Sequence, residues 1–224
     1  MSGTAQIYDA VLHPTKEEFT ARFGAVVTLL GSYRLVDPAD EVGIEIHIGR
    51  DGEGRLVQMP TTYRAEELDP AATFCSVDHS VLGTRWVSNA LGDPVAVAQM
   101  IRTIVQGDDG AAYSNNTGPI VDVLGTGDPK APAGEPGSVV EDLEVGKVKL
   151  QEYTRQRAVG TVEIGDHVRS FELRLPNLLQ TERTVARGFT TPRMHLTATP
   201  KDERLGTDDL IVAELYWGDL VKEF

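Results

Sequence analysis

The chain has 224 residues, with 21 Lys+Arg against 34 Asp+Glu for a net charge of −13. That length holds one large or two small domains at about 150 residues each, and 41% apolar with 25% charged residues is the make-up of a globular chain, not a disordered one. The acidity disfavours nucleic acid or an anionic membrane as partner, because both need cationic side chains against phosphate.

His13-Pro14-Thr15-Lys16-Glu17-Glu18 reads as a helix start, with Thr15 as cap and Glu18 closing a capping box. Phe19 and Phe23 share a face of that helix, and Gly24 ends it. The β-branched Val26-Val27-Thr28-Leu29-Leu30, continued by Tyr33-Arg34-Leu35-Val36 up to Asp37-Pro38, reads as a strand. Val42, Ile44, Ile46 and Ile48 alternate with Gly43, Glu45 and His47, which predicts a strand with one buried face. Asp51-Gly52-Glu53-Gly54 turns the chain into Arg55-Leu56-Val57-Gln58-Met59, so an antiparallel meander is expected. Asp93-Pro94 opens a second helix, in which Val97, Met100, Ile101, Ile104 and Val105 form one buried stripe ending near Gly107.

Residues 125–138 hold seven Gly or Pro in fourteen positions, which predicts a linker between a first half, 1–124, and a β-rich second half, 139–224. The first half carries 8 basic and 17 acidic residues and the second, counted from residue 125, 13 and 17, so −9 of the −13 belongs to the first. Lys147 to Leu150 and Val159 to Ile164 read as strands, Gly165-Asp166 as a hairpin turn, and Val168 to Leu175 as the return. Two more strands are expected at His195–Thr199 and Leu210–Trp217. Helices and strands segregate along the chain, so the expected class is α+β with antiparallel sheets.

The motifs of common chemistries are missing. Gly125-Thr126-Gly127 is followed by prolines and no helix, so it does not cradle phosphate. The five histidines, His13, His47, His79, His167 and His195, are scattered singly, and no metal site is expected. The single Cys75 can form no intrachain disulfide and reads as a small buried hydrophobe. Carboxylate pairs such as Glu17-Glu18 and Glu66-Glu67 read as solvated surface, and Lys147 and Lys149 as edge-strand lysines. No catalytic residue and no cofactor is assigned. No basic stretch followed by an apolar run opens the sequence and no apolar run is long enough to span a bilayer, so a soluble, cytoplasmic protein is expected.

The densest segment runs from Asp78 to Pro94. In it Trp86 is suited to stack on a sugar or base and Arg85 to hold an anion, while the competing reading has Trp86 filling the core and His79 and Arg85 bonded to loop carbonyls. With Tyr63 and Arg64, the residues His79, Arg85 and Trp86 make the candidate binding set.

This segment, together with residues 13–18, 33–45 and Pro60-Thr61-Thr62-Tyr63-Arg64, resembles the maltokinase N-terminal cap-like proteins of actinobacteria over roughly residues 12–107. The likeness is looser beyond residue 138. The resemblance implies a curved antiparallel sheet with a few packed helices, and a link to trehalose, maltose and α-glucan metabolism. It implies no active site for this chain. Maltokinases use a His-Gly-Asp catalytic loop and an Asp-Phe-Glu-type metal motif in a C-terminal lobe, and the sequence has neither; Gly165-Asp166-His167 and Asp142-Leu143-Glu144 are no substitutes. The expected function is thus non-catalytic binding or regulation, with an enzyme of carbohydrate metabolism or a carbohydrate as partner. A reduced sugar kinase, a glucan-processing enzyme and a scaffold that pairs through an edge strand are the alternatives.

Overall fold

A computed structural model describes residues 3–127, 144–181 and 194–220. Residues 128–138 of the expected linker, and Asp142 and Leu143, lie outside the described residues. In chain order the first part comprises β1 (Thr4–Ala5), β2 (Leu12–His13), α1 (Lys16–Phe23), β3 (Thr28–Leu35), β4 (Gly43–Arg50), β5 (Leu56–Arg64), β6 (Thr73–His79) and β7 (Gly83–Asn89). A 3-10 turn at Ala90–Gly92 leads into α2 (Pro94–Gln106), followed by β8 (Ala112–Tyr113) and β9 (Val121–Gly125). The remainder is β10 (Val145–Tyr153), β11 (Arg157–Ile164), β12 (His167–Arg174), β13 (Gln180–Thr181), β14 (Met194–Pro200) and β15 (Leu210–Leu220).

The first sheet runs β2-β6-β7-β5-β4-β3 and is antiparallel throughout, as the meander pattern predicts for β3 to β5. Beyond β5 the order changes, because β7 and not β6 pairs with β5. The Asp78–Pro94 stretch therefore holds the end of β6, the turn into β7, the whole of β7 and the 3-10 turn before α2, and the β6–β7 pairing is not announced by its mixed polar pattern. The second sheet runs β10-β11-β12-β15-β14-β9, with β13 also on β15, and the curled sheets include a half-barrel. Together these confirm the α+β class with curled antiparallel sheets.

Local sequence explains both helices. Thr15 accepts from the Glu18 N–H at 3.2 Å while Glu18 accepts from the Thr15 N–H at 2.8 Å, the reciprocal cap that satisfies two otherwise orphan donors of α1. Asp93 accepts from the Val95 N–H at 3.0 Å with Pro94 behind it, and Gly107 ends α2 at φ 66°, a left-handed position that glycine takes without a Cβ clash. Eight of the thirteen residues of α2 are buried and the other five half-buried, and the helix packs against β9, β10 and β14 of the second sheet. Gly125 permits this approach, since a Cβ there would lie 2.0 Å from the Thr103 carbonyl oxygen. Ile44, Ile46 and Ile48 of the first sheet share one apolar cluster with Ile101 of α2 and with Phe171, Leu173 and Leu215 of the second.

Polar contacts tie the same two sheets. The Gln58 amide donates to the carbonyls of Pro176 at 2.9 Å and Val212 at 2.7 Å, and the Asn89 amide donates to Thr154 O at 2.9 Å. The chain before β9 also covers two sheet edges. Ala111 N–H donates to Arg34 O of β3 at 2.9 Å, and Ile120 N–H to Ser32 O of β3 at 3.3 Å, while Gly110 N–H donates to Val123 O of β9 at 3.2 Å. Among the described residues, no helix is long and apolar enough to cross a membrane.

Candidate functional site

The alternation of β4 predicts one buried face, yet both faces are buried. Ile44, Ile46 and Ile48 enter the apolar cluster shared with α2, and Glu45 and His47 on the other face are only 1% and 0% exposed. The cause is α1, which lies over that face with Phe19 edge-on to His47 at 5.5 Å and to Tyr63 at 6.4 Å. Burial of a carboxylate demands compensation. Lys16 of α1 supplies it at 2.7 and 2.9 Å, Arg34 of β3 at 3.0 Å, and the Ser32 hydroxyl donates at 2.6 Å. Burial alone would raise the Glu45 carboxyl, but Arg34 and Lys16 more than reverse it and hold it well below the usual carboxylate range.

His47 is neutral. Burial is the main cause and the cations Lys16 and Arg34 add to it, pulling the ring down to about 4 against the opposing pull of Glu45. Its Nε2 lies 3.1 Å from the Tyr63 hydroxyl and 3.2 Å from that of Thr61, which itself donates to Glu45 O at 2.9 Å, and among the described residues Nδ1 has no hydrogen-bond partner. Burial, then Glu45, pushes the Tyr63 phenol well above its ordinary value. At the far end, Tyr113 donates from its hydroxyl to Ser32 O at 3.1 Å. There the network reaches solvent through a cleft of about 400 Å³, whose wall includes Tyr33, Arg34 and Tyr113 and whose rim carries Asp109, Asn116 and Lys201. Burial lowers and Glu45 raises the Arg34 pKa, with a net rise, so this cleft presents a fixed guanidinium already neutralised from behind. Such an arrangement suits a polar ligand that both donates and accepts hydrogen bonds.

The structure distributes the candidate binding set over two faces. Tyr63 stands opposite Val87 across β5 and β7, and Arg85 opposite Val77 across β7 and β6, so with His79 they follow the α1 side of the sheet. Arg64 and Trp86 pair with each other across β5 and β7 and belong to the opposite side. Arg64 forks onto Asp93 at 2.7 and 2.9 Å, which explains its raised pKa and fixes the start of α2. His79 Nδ1 accepts from the N–H groups of Val81 at 3.2 Å and Leu82 at 3.1 Å, and its ring meets Tyr8 edge-on at 5.7 Å. Arg85 donates to the Thr84 carbonyl at 2.9 Å, and Trp86 is half-buried, a member of neither apolar cluster. Tyr63 alone of the five joins the buried network. Lys16, Ser32, Arg34, Glu45, His47 and Tyr113 escape sequence reasoning; the signal was a helix with a strong cap adjoining a strand whose polar positions are Glu and His.

Among the described residues, no group of three or more His, Cys, Asp or Glu side chains is placed to hold a metal. The fold is that of an α+β protein built mainly of antiparallel strands, with a helix-covered ionic network in its first sheet. Residues 17–93 match the maltokinase N-terminal cap domain, from the first turn of α1 to the cap of α2. No curated protein matches the chain.

Proposed function

We propose that the chain is a non-catalytic binding or regulatory protein of carbohydrate metabolism, whose partner is a carbohydrate or an enzyme acting on one. The observation that carries this reading is the maltokinase cap match over residues 17–93 in a sequence with no His-Gly-Asp loop and no Asp-Phe-Glu motif. Phosphoryl transfer needs carboxylates to hold metal and a residue to orient the acceptor hydroxyl. The ionic network does not offer them: Glu45 is saturated by Lys16, Arg34 and Ser32, and His47 is enclosed. What the cleft beside Arg34 and Tyr113 offers is recognition. Incubation of the purified chain with maltose, ATP and Mg²⁺ is expected to yield no phosphorylated sugar above a protein-free control. Steady turnover would overturn the reading in favour of a reduced sugar kinase.

A further inference from the structure

The outer ladder of β6 is filled at one end only. The Ser80 N–H donates to Val11 O at 3.0 Å, and along β2 the pairs are Leu12 with His79 and His13 with Asp78. Hydrogen-bonded pairs alternate in an antiparallel ladder, so Asp78, like Ser80, turns its N–H and carbonyl towards β2. Ser76, two residues back, turns its own the same way. No strand meets them there, because β2 ends at His13, Pro14 brings no N–H, and the chain has entered α1 by Lys16. Among the described residues, no strand pairs with β6 on that side before Asp78, no turn or loop backbone bonds to Ser76, and Ser76 is exposed.

A cavity of about 420 Å³ opens along this unfilled stretch. Its lining includes Cys75 and Ser76 of β6, Phe19, Arg22 and Phe23 of α1, and Pro14 where β2 stops. One wall is thus the edge of a strand and the other a helix. A groove of that kind fits an extended peptide, whose backbone completes the ladder while alternate side chains point at the helix. Phe19 and Phe23 make the helix wall apolar, and charge selects further. Glu18, the one carboxylate of the lining, is engaged by the Thr15 N–H at 2.8 Å, whereas Arg22 holds no ion pair among the described residues. The Arg22 guanidinium lies 5.0 Å from the centre of the Phe23 ring. Burial raises the Cys75 thiol and Arg22 opposes that rise, so the positive charge stands on the β6 side of the cavity. The complementary strand therefore carries an apolar and an acidic side chain on one face.

We propose that the open edge of β6 at Ser76 is a docking site for an extended apolar and acidic segment of a partner protein, which lengthens the first sheet by one strand in line with β2. The site is separate from the cleft beside Arg34, and docking there stands whatever ligand that cleft takes. The probe is the capped peptide acetyl-Thr-Phe-Val-Glu-Val-Thr-amide, titrated into the full chain by calorimetry and followed by amide hydrogen exchange. Saturable binding is expected, with exchange at the Ser76 N–H slowed by about tenfold or more. Of two versions N-methylated at alternate residues, one loses the donors that face β6 and should bind more weakly than the other by about tenfold. Ser76→Pro removes the open N–H and should abolish binding while the β6–β7 pairing persists, since proline is tolerated where a strand N–H faces solvent. Arg22→Glu should weaken this peptide by about tenfold and strengthen a version with Lys in place of Glu. No saturable binding, an unchanged exchange rate at Ser76, or equal affinity of the two methylated peptides would overturn the proposal. Dimerisation of the peptide-free chain that Ser76→Pro abolishes would overturn it in favour of a second copy of the chain as occupant.

Discussion

His47 is a neutral imidazole in a place where protonation is expensive. Its folded pKa of about 4 lies below the ordinary 6.5, so below pH 6.5 the unfolded chain takes a proton that the folded chain refuses. The stability that neutral His47 contributes is therefore complete above pH 6.5 and is lost progressively down to pH 4, by about 3 kcal/mol in all. Glu45 adds to the loss at still lower pH. Its depressed pKa gives stability that is present above the ordinary carboxylate value and disappears as pH falls through the folded one. Urea unfolding of the parent from pH 7 to pH 4 should show this slope, and His47→Gln should remove the part between pH 6.5 and pH 4. A slope unchanged in His47→Gln would assign the acid sensitivity elsewhere.

At the scale of elements, Asp93 holds two jobs that one substitution can separate. Its carboxylate caps α2 through Val95 N and receives the Arg64 fork. Asn in its place keeps a capping oxygen and loses the ion pair, whereas Ala loses both, so Asp93→Ala should be less stable than Asp93→Asn by about 1 kcal/mol. Denaturation midpoints of the two variants measure the difference.

Both helices were legible because their signals are local: Thr15 with Glu18, and Asp93 with Pro94 and a closing Gly107. The strands with clean alternation or a tight turn, β4 and the β11–β12 hairpin, were legible for the same reason. The β6–β7 hairpin was not, since Phe74, Cys75 and Trp86 are only partly buried and the alternation is blurred by an irregularity at Thr73–Cys75. Of the candidate site, Tyr63 was found and Glu45 was missed. Period two marks which residues share a face, but only the position of α1 decides that the polar face is covered.

For the whole molecule, the apolar cluster that joins Ile44 and Ile46 to Leu173 and Leu215 through α2 makes the two sheets mutually dependent. A single calorimetric transition is expected, coincident with loss of far-ultraviolet circular dichroism. Two resolved transitions would show that the sheets melt independently despite sharing that cluster.

The stretch from Gly110 to Ile120 gives this dependence a further meaning. It donates to the outer edge of β3 through Ala111 and Ile120 and to that of β9 through Gly110, so one length of chain occupies exposed ladders on both sheets. An open ladder is a template on which a foreign strand can grow. Growth by strand addition is blocked at both edges by the same fastener, and a cut in it would release two templates at once. Nicking within 110–120 is therefore expected to speed fibrous aggregation over that of the intact chain, as followed by thioflavin fluorescence; equal rates would show that the two edges are protected by other means.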